Sequence, residues 1–205
     1  MGLREKKAAR TREQILEVAA ELFLSQGYDE TTMEQIAEAA EVAPSTLYRY
    51  FPSKDLLILG RLTESIQLGA ALRRRPEGET LPQALRETLL AVLESIQDEQ
   101  RFSALRHIID TSPVPRARLW DIMLQSRADL EKELARRMDR PEDDVMVVMT
   151  GRTALTIFEL VAEKWWAGDH AGSRADALDE ALRAIETSGF VLPGPRGTQL
   201  RSAAG

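Results

Sequence analysis

Apolar residues recur at spacings of three and four along nearly the whole chain, and the strict alternation of a half-buried strand is absent. The pattern predicts an all-α protein of about nine helices. Ile15, Leu16, Ala19, Ala20, Leu22 and Phe23 form the buried stripe of a first helix, which stops at Gly27, a residue that accepts the left-handed conformation; Tyr28 is placed to fold back on it. Thr32, followed three residues on by Gln35, reads as a capping box for a helix of barely two turns that ends near Ala40. Pro44 suits the first turn of a third, equally short helix that closes near Phe51. Ser53 begins a fourth, expected to run through Leu56, Leu59, Leu62 and Ile66 to the basic end at Arg73, Arg74 and Arg75. Further helices are predicted over 81–100, 102–110, 116–138, 142–167 and 173–188. In the eighth, Pro141 falls in the first turn with Glu142, Asp143 and Asp144 facing the positive end of the dipole. Ser173 with Asp176 caps the last helix, and 193–205 reads as a frayed, disordered tail.

Two short helices joined by three residues cannot bury enough on their own, so they must pack on the first helix. That makes a three-helix unit ending in a helix-turn-helix, whose second short helix is free to enter a major groove. Val42 and Leu47 face inward, which leaves Ala43, Pro44, Ser45, Thr46, Tyr48, Arg49 and Tyr50 on the outer and flanking surfaces. Small residues let the helix approach base edges, hydroxyls and methyls can meet bases, and tyrosine hydroxyls can reach phosphates. Lys54 suits a phosphate as a flexible point charge. Thr32, Arg10 and Arg12 complete the candidate DNA-binding surface.

From about Arg10 to Leu57 the chain resembles the DNA-binding domain of the TetR family of transcriptional regulators. The residues that carry the likeness are Ile15, Ala19, Phe23, Gly27, Tyr28, Thr31, Thr32, Ile36, Ala37, Ala40, Val42, Thr46, Leu47, Tyr48, Tyr50, Phe51, Ser53, Lys54 and Leu56, in ungapped register. The resemblance implies that the remaining helices form a dimerising, ligand-binding domain, hence a boundary between 1–55 and 56–192. It also implies that the last two long helices pair with their counterparts across a two-fold axis. Glu41 departs from the pattern, since the family usually has glycine there. A left-handed Glu41 costs about 1 to 2 kcal/mol, which predicts a looser turn and an altered recognition-helix angle.

Composition changes this picture only in places. A net charge of −6 argues against a protein that coats nucleic acid, yet Arg4, Lys6, Lys7, Arg10 and Arg12 face only Glu5 among the first twelve residues. Screening over about 10 Å lets such a basic arm meet a polyanion while the acidic body stays out of range. The absence of cysteine removes disulfides and thiolate metal sites. No uninterrupted apolar run nears the roughly 18 residues of a membrane span, and no signal peptide is visible, so a cytoplasmic protein is expected. With two histidines and no phosphate loop or metal-ligand spacing, no catalytic site, metal or cofactor is expected.

Beyond residue 60 the residues suggest a mainly apolar chamber. Leu62, Ile66, Phe102, Trp120, Met123, Leu124 and Phe158 are its candidate walls, with Arg106, His107 and Arg127 as polar contacts. Leu155, Val161, Trp165, Leu178, Leu182 and Ile185 are the candidate homodimer surface. Adjacent Trp165 and Trp166 point about 100° apart on a helix, so one is expected to meet a pocket or a partner. The expected partners are therefore a palindromic double-stranded operator, a small-molecule effector and a second copy of the chain. The competing reading is a helical small-molecule-binding or interaction protein without specific DNA binding.

Overall fold

The computed structural model describes residues 2–96, 99–166, 168 and 172–187; the expected tail lies outside them. Among the described residues there are eleven helices and no strand: α1 (Leu3–Gln26), α2 (Met33–Ala39), α3 (Pro44–Tyr50), α4 (Lys54–Ile58), α5 (Gly60–Ser65), α6 (Leu68–Arg73), α7 (Leu81–Ser95), α8 (Glu99–Thr111), α9 (Pro113–Met138), α10 (Val145–Trp166) and α11 (Arg174–Thr187). The chain is all-α, as the pattern predicts.

The count exceeds nine because the expected fourth helix is broken into three. Leu59 relaxes to φ −88, ψ −6, and Ile66 and Gln67 leave helical geometry altogether at ψ 68 and 64. Each break serves a close approach. A Cβ on Gly60 would lie 2.4 Å from Leu16 Cδ2, and one on Gly69 would lie 2.5 Å from the Asp129 backbone. Glycine at these positions lets α5 sit against α1 and α6 against α9. The backbone N–H of Leu68, freed by the second break, donates to Ser126 Oγ on α9 at 3.4 Å.

One contiguous core runs from Ile15, Phe23 and Leu47 at the front, through Leu57, Leu59 and Leu62, to Leu130, Phe158 and Leu178 at the back. Helix α10 is long and apolar enough by composition to cross a membrane, but Val147, Ala154, Phe158 and Val161 bury one side of it in this core. It starts at Val145 rather than at Glu142, because Asp144 acts as its cap and accepts from the Met146 N–H at 2.8 Å.

Ionic ties hold the later helices. Glu133, 2% exposed, receives Arg73 at 3.3 Å and Arg136 at 2.6 Å, while Arg137 donates to the carbonyls of Leu72 and Arg75 at the end of α6. The arginines hold the Glu133 carboxyl below its usual range, Arg136 first and Arg73 next, against the opposing effect of burial. Arg86 grips Asp179 through two nitrogens at 2.7 and 2.8 Å, joining α7 to α11.

Candidate nucleic-acid interface and effector chamber

The front unit is assembled by local signals that the structure shows in detail. Gly27 takes φ 94, ψ 158, a region open in practice only to glycine, and Tyr28 folds back so that its ring lies 5.4 Å from that of Phe23. The Thr32 hydroxyl accepts from the Gln35 N–H at 3.1 Å and Gln35 returns the bond to the Thr32 N–H at 2.8 Å, closing the capping box. Helix α2 ends in a Schellman turn: the Val42 N–H reaches the Ala37 carbonyl at 2.9 Å and the Glu41 N–H reaches Glu38 at 3.0 Å.

That turn needs the residue after the cap left-handed, and Glu41, following Ala40, supplies it at φ 54. The looser turn expected from glutamate is therefore not found; both bonds form and the backbone carries the strain. Replacing Glu41 by glycine relieves about 1 to 2 kcal/mol of it and returns about 0.4 to 1 kcal/mol to the unfolded chain as entropy. Glu41→Gly is thus expected to stabilise the protein by roughly 1 kcal/mol, read as a higher urea midpoint at unchanged slope. A lower midpoint would mean that the glutamate side chain makes a compensating contact.

Leu47, fully buried, anchors α3 on α1 and α2, with Val42 half-buried beside it. Ala43, Pro44, Ser45, Tyr48 and Arg49 are exposed, and Thr46 and Tyr50 half-buried, so the outer face of α3 is a row of small and hydroxylated residues. Thr32 is exposed at the start of α2. The Tyr48 hydroxyl donates to Glu34 at 3.3 Å, which bridges α3 to α2. Burial and Glu34 together raise the Tyr48 pKa, so the hydroxyl stays protonated.

Two basic groups differ from expectation. Lys54 does not hang free: its Nζ donates to the carbonyls of Tyr28 (2.6 Å), Thr31 (3.0 Å) and Asp29 (3.3 Å) and sits 4.2 Å from the Tyr28 ring centre. An ammonium has three donors, and all are spent on tying the α1–α2 turn to α4. Burial, then the nearby Asp55 and Asp29, push the Tyr28 hydroxyl up to about 12, so it stays neutral beneath the ammonium. The basic arm, moreover, is helix. Because α1 starts at Leu3, Lys6, Lys7 and Arg10 share a side of it about 100° wide. Arg10 is exposed, and the Arg12 guanidinium lies 4.9 Å over the Phe51 ring.

Behind this unit, α8, α9 and α10 border a cavity of about 160 Å³ lined by the candidates Ile66, Arg106, Trp120, Met123 and Phe158, and also by Asp110, Arg116, Leu119, Glu159, Ala162, Glu163 and Trp166. Trp120 stands at its mouth, 61% exposed, not in its interior. Leu124 is 48% exposed and faces away, and Arg127 pairs with Glu131 at 3.4 Å. Leu62 is buried in the common core, and Phe102 stacks on Trp166 with ring centres 4.2 Å apart. Exposed His107 lines a neighbouring open groove of about 1050 Å³ between the end of α1 and α8.

The sequence reading missed the acids. Their signal was Glu159, a carboxylate set inside the apolar run "TIFELVA" of the most apolar helix. Burial, then neighbouring Glu163, push the Glu159 carboxyl above its ordinary range against the pull of Arg106.

The candidate dimer surface is also redrawn. Leu155, Val161, Trp165 and Leu178 are buried within one chain, where α10 packs on α9 and on α11. Trp165 is 7% exposed and Trp166 half-buried, so both tryptophans are covered without a second molecule. Only Leu182, half-buried, and Ile185, 38% exposed, remain accessible. The outward stripe of α10 is instead Met146, Met149, Thr153, Thr156 and Leu160, at helical spacing.

Residues 15–59 match the family described as bacterial regulatory proteins, tetR family, and residues 79–189 match the MftR C-terminal domain. The chain belongs to the TetR family of transcriptional regulators. Among its relatives, the regulator TcmR of Streptomyces glaucescens is 47% identical over 98 residues, covering 47% of this chain and 43% of that protein. The chain thus spans under half of TcmR in that match. The regulator MftR of Mycobacterium tuberculosis is 29% identical over 88% of this chain and 91% of its own length. Thermus thermophilus FadR, a TetR-family repressor solved with lauroyl-CoA, shares the fold with a TM-score of 0.58 at 24% identity, covering 92% of this chain and 99% of its own. Membership makes the helix-turn-helix a DNA-binding unit and the chain a transcription regulator, not a member of an enzyme family.

Proposed function

We propose that the protein is a homodimeric, cytoplasmic repressor that binds a palindromic operator through α3 of each copy and is released by a small molecule in the α8–α10 cavity. The observation that carries this reading is the outer face of α3, where small and hydroxylated side chains stand exposed on a helix fixed by the Schellman turn and by Leu47. Ser45 and Thr46 read bases. Arg10 and Arg49, with the first turns of α1, meet phosphates, as do Thr32, Tyr48 and Tyr50 at the flanks, while Ala43 and Pro44 allow close approach.

Release has two routes to the front unit. One passes through α4, α5 and α6, now a jointed path and not the single rigid lever that an unbroken fourth helix would provide. The other is α8: Arg101 bonds both the carboxylate and the carbonyl of Glu17 on α1, and the neighbouring Ser103 hydroxyl donates to the Trp166 carbonyl at 2.9 Å. A ligand that displaces Trp166 therefore pulls on α1 through one helix. To weaken operator binding a hundredfold the ligand must favour the released state by about 2.7 kcal/mol, and the operator must weaken the ligand equally.

Ser45→Ala with Thr46→Ala is expected to relax base preference about tenfold per half-site, or roughly 1.4 kcal/mol, while the slope of log K against log salt stays constant. Arg10→Ala in both copies should instead reduce that slope by about 0.9 for each phosphate no longer neutralised, with preference intact. Fluorescence anisotropy on selected and scrambled duplexes reads both. Equal affinity of the parent protein for the two duplexes would favour the alternative, a ligand-binding protein without specific DNA recognition.

A further inference from the structure

The cavity behind the front unit has the wrong walls for a purely apolar guest. Two of its carboxylates, Glu159 and Glu163, make no hydrogen bond or ion pair among the described residues, and Glu159 is half-buried. Arg106 is near enough to attract Glu159 but makes no hydrogen bond or ion pair with either acid, and neither does Arg116. Arg106 pairs first with Asp110, its Nε 2.9 Å from both oxygens, and exposed Arg116 reaches only the Asp110 carbonyl at 3.4 Å. The chamber is left with surplus negative charge beside Phe158, Met123 and Trp120. We propose that its ligand is a compact organic cation bearing one aromatic ring, of the aryl-alkyl ammonium class, with the ammonium on Glu159 and the ring among Phe158, Met123 and Trp120.

Three arguments converge on that class. A cavity near 150 Å³ holds about one benzene ring, and this one measures about 160 Å³. A neutral guest would bury Glu159 further without a partner, and an anion would add repulsion from two carboxylates, whereas an ammonium supplies the missing counter-charge. The aromatic faces then favour a weakly hydrated cation, through cation–π attraction, over a hydrated metal ion. No group of three or more metal-ligating side chains gathers among the described residues.

The inference rests on the reading above only in calling this ligand the effector. The test is calorimetric titration of the full-length protein with phenethylamine, 2-phenylethanol, phenylacetate and butylamine. Phenethylamine is expected to bind at least tenfold tighter than the alcohol and than ringless butylamine, with phenylacetate silent. Glu159→Gln should bring amine and alcohol to equal affinity; Glu163→Gln, at an exposed position, should do less. Because the Glu159 pKa is raised on folding, its charged form opposes folding above that pKa. Glu159→Gln should therefore melt no lower than the parent at pH 7, which separates a binding defect from a folding defect. The proposal is overturned if the alcohol matches the amine in the parent protein, if phenylacetate binds best, if Glu159→Gln keeps the preference, or if none of the four compounds binds. Glu159-dependent amine binding that leaves operator affinity unchanged would support the site and remove the effector role instead.

Discussion

Charging the outer stripe of α10, by Met149→Glu with Leu160→Glu, is expected to give a folded monomer whose affinity for a palindromic operator is at least about a hundredfold weaker. Met149 and Leu160 are each close to half exposed, at 48% and 49%, and lie on the side of α10 that the core does not use. Placing carboxylates there removes nothing from the interior, so the monomer should stay folded, its melting temperature lowered only by the stabilisation that dimerisation lends the parent. In a dimer the same carboxylates would face their symmetry copies across a desolvated seam, a cost of several kcal/mol per uncompensated charge. Operator binding falls with dimerisation because one short recognition helix reads only a few base pairs, and joining two of them multiplies affinity by about 10² to 10⁴. Light scattering gives the mass and anisotropy the affinity. A double variant that stays dimeric would move the interface elsewhere, and a monomer that still binds the palindrome as tightly as the parent would dismiss the two-helix reading.

The second large effect concerns the fold. Glu133→Ala is expected to cost about 3 to 5 kcal/mol, since removing one member of a buried ionic cluster leaves the others uncompensated. Arg137, only 5% exposed, loses its carboxylate, while Arg73 and Arg136, at 65% and 50%, can turn to water. The lower end of the range is therefore the closer expectation. Against a total stability of about 5 to 15 kcal/mol, such a loss is large, and it appears as a fall in urea midpoint. The pH dependence has a definite sign. The folded pKa of Glu133 lies below its ordinary value, so its contribution is present above that value and disappears as pH falls through the folded pKa. The difference in stability between parent and variant should accordingly shrink in acid. A difference that is flat from neutral to acidic pH would assign the effect to packing and not to charge.

The front half of this molecule was legible because its instructions are local. Thr32 with Gln35, Gly27 with Tyr28, and Pro44 at a first turn each specify geometry through bonds or dihedrals within a few residues. The periodicity of three and four likewise predicted an all-α chain and the approximate extent of most of its helices. Glu41 shows the limit of even a local rule: the Schellman bonds of its turn hold a glutamate at φ 54 where intrinsic preference alone predicts a looser path.

What the sequence could not decide was which side of a helix is spent inside the chain and which is left outside. Leu155, Val161, Trp165 and Leu178 have the same apolar character whether they meet α9 and α11 or a second molecule, and only the packing of α10 against both assigned them to the interior. Lys54 was a free cation in the sequence, but the fold brings three carbonyls from 23 to 26 residues away within reach of its ammonium. The segments of the divided fourth helix lie close to the Leu16 side chain and the Asp129 backbone, approaches that no periodicity records. The acidic wall of the chamber is of the same kind. Asp110 and Glu159 are 49 positions apart, so their sharing of one cavity is a property of how α8 crosses α10. Local sequence determines conformation because its partners are a turn away, whereas charge balance, exposed faces and cavities depend on contacts between distant segments, and those exist only once the helices have packed.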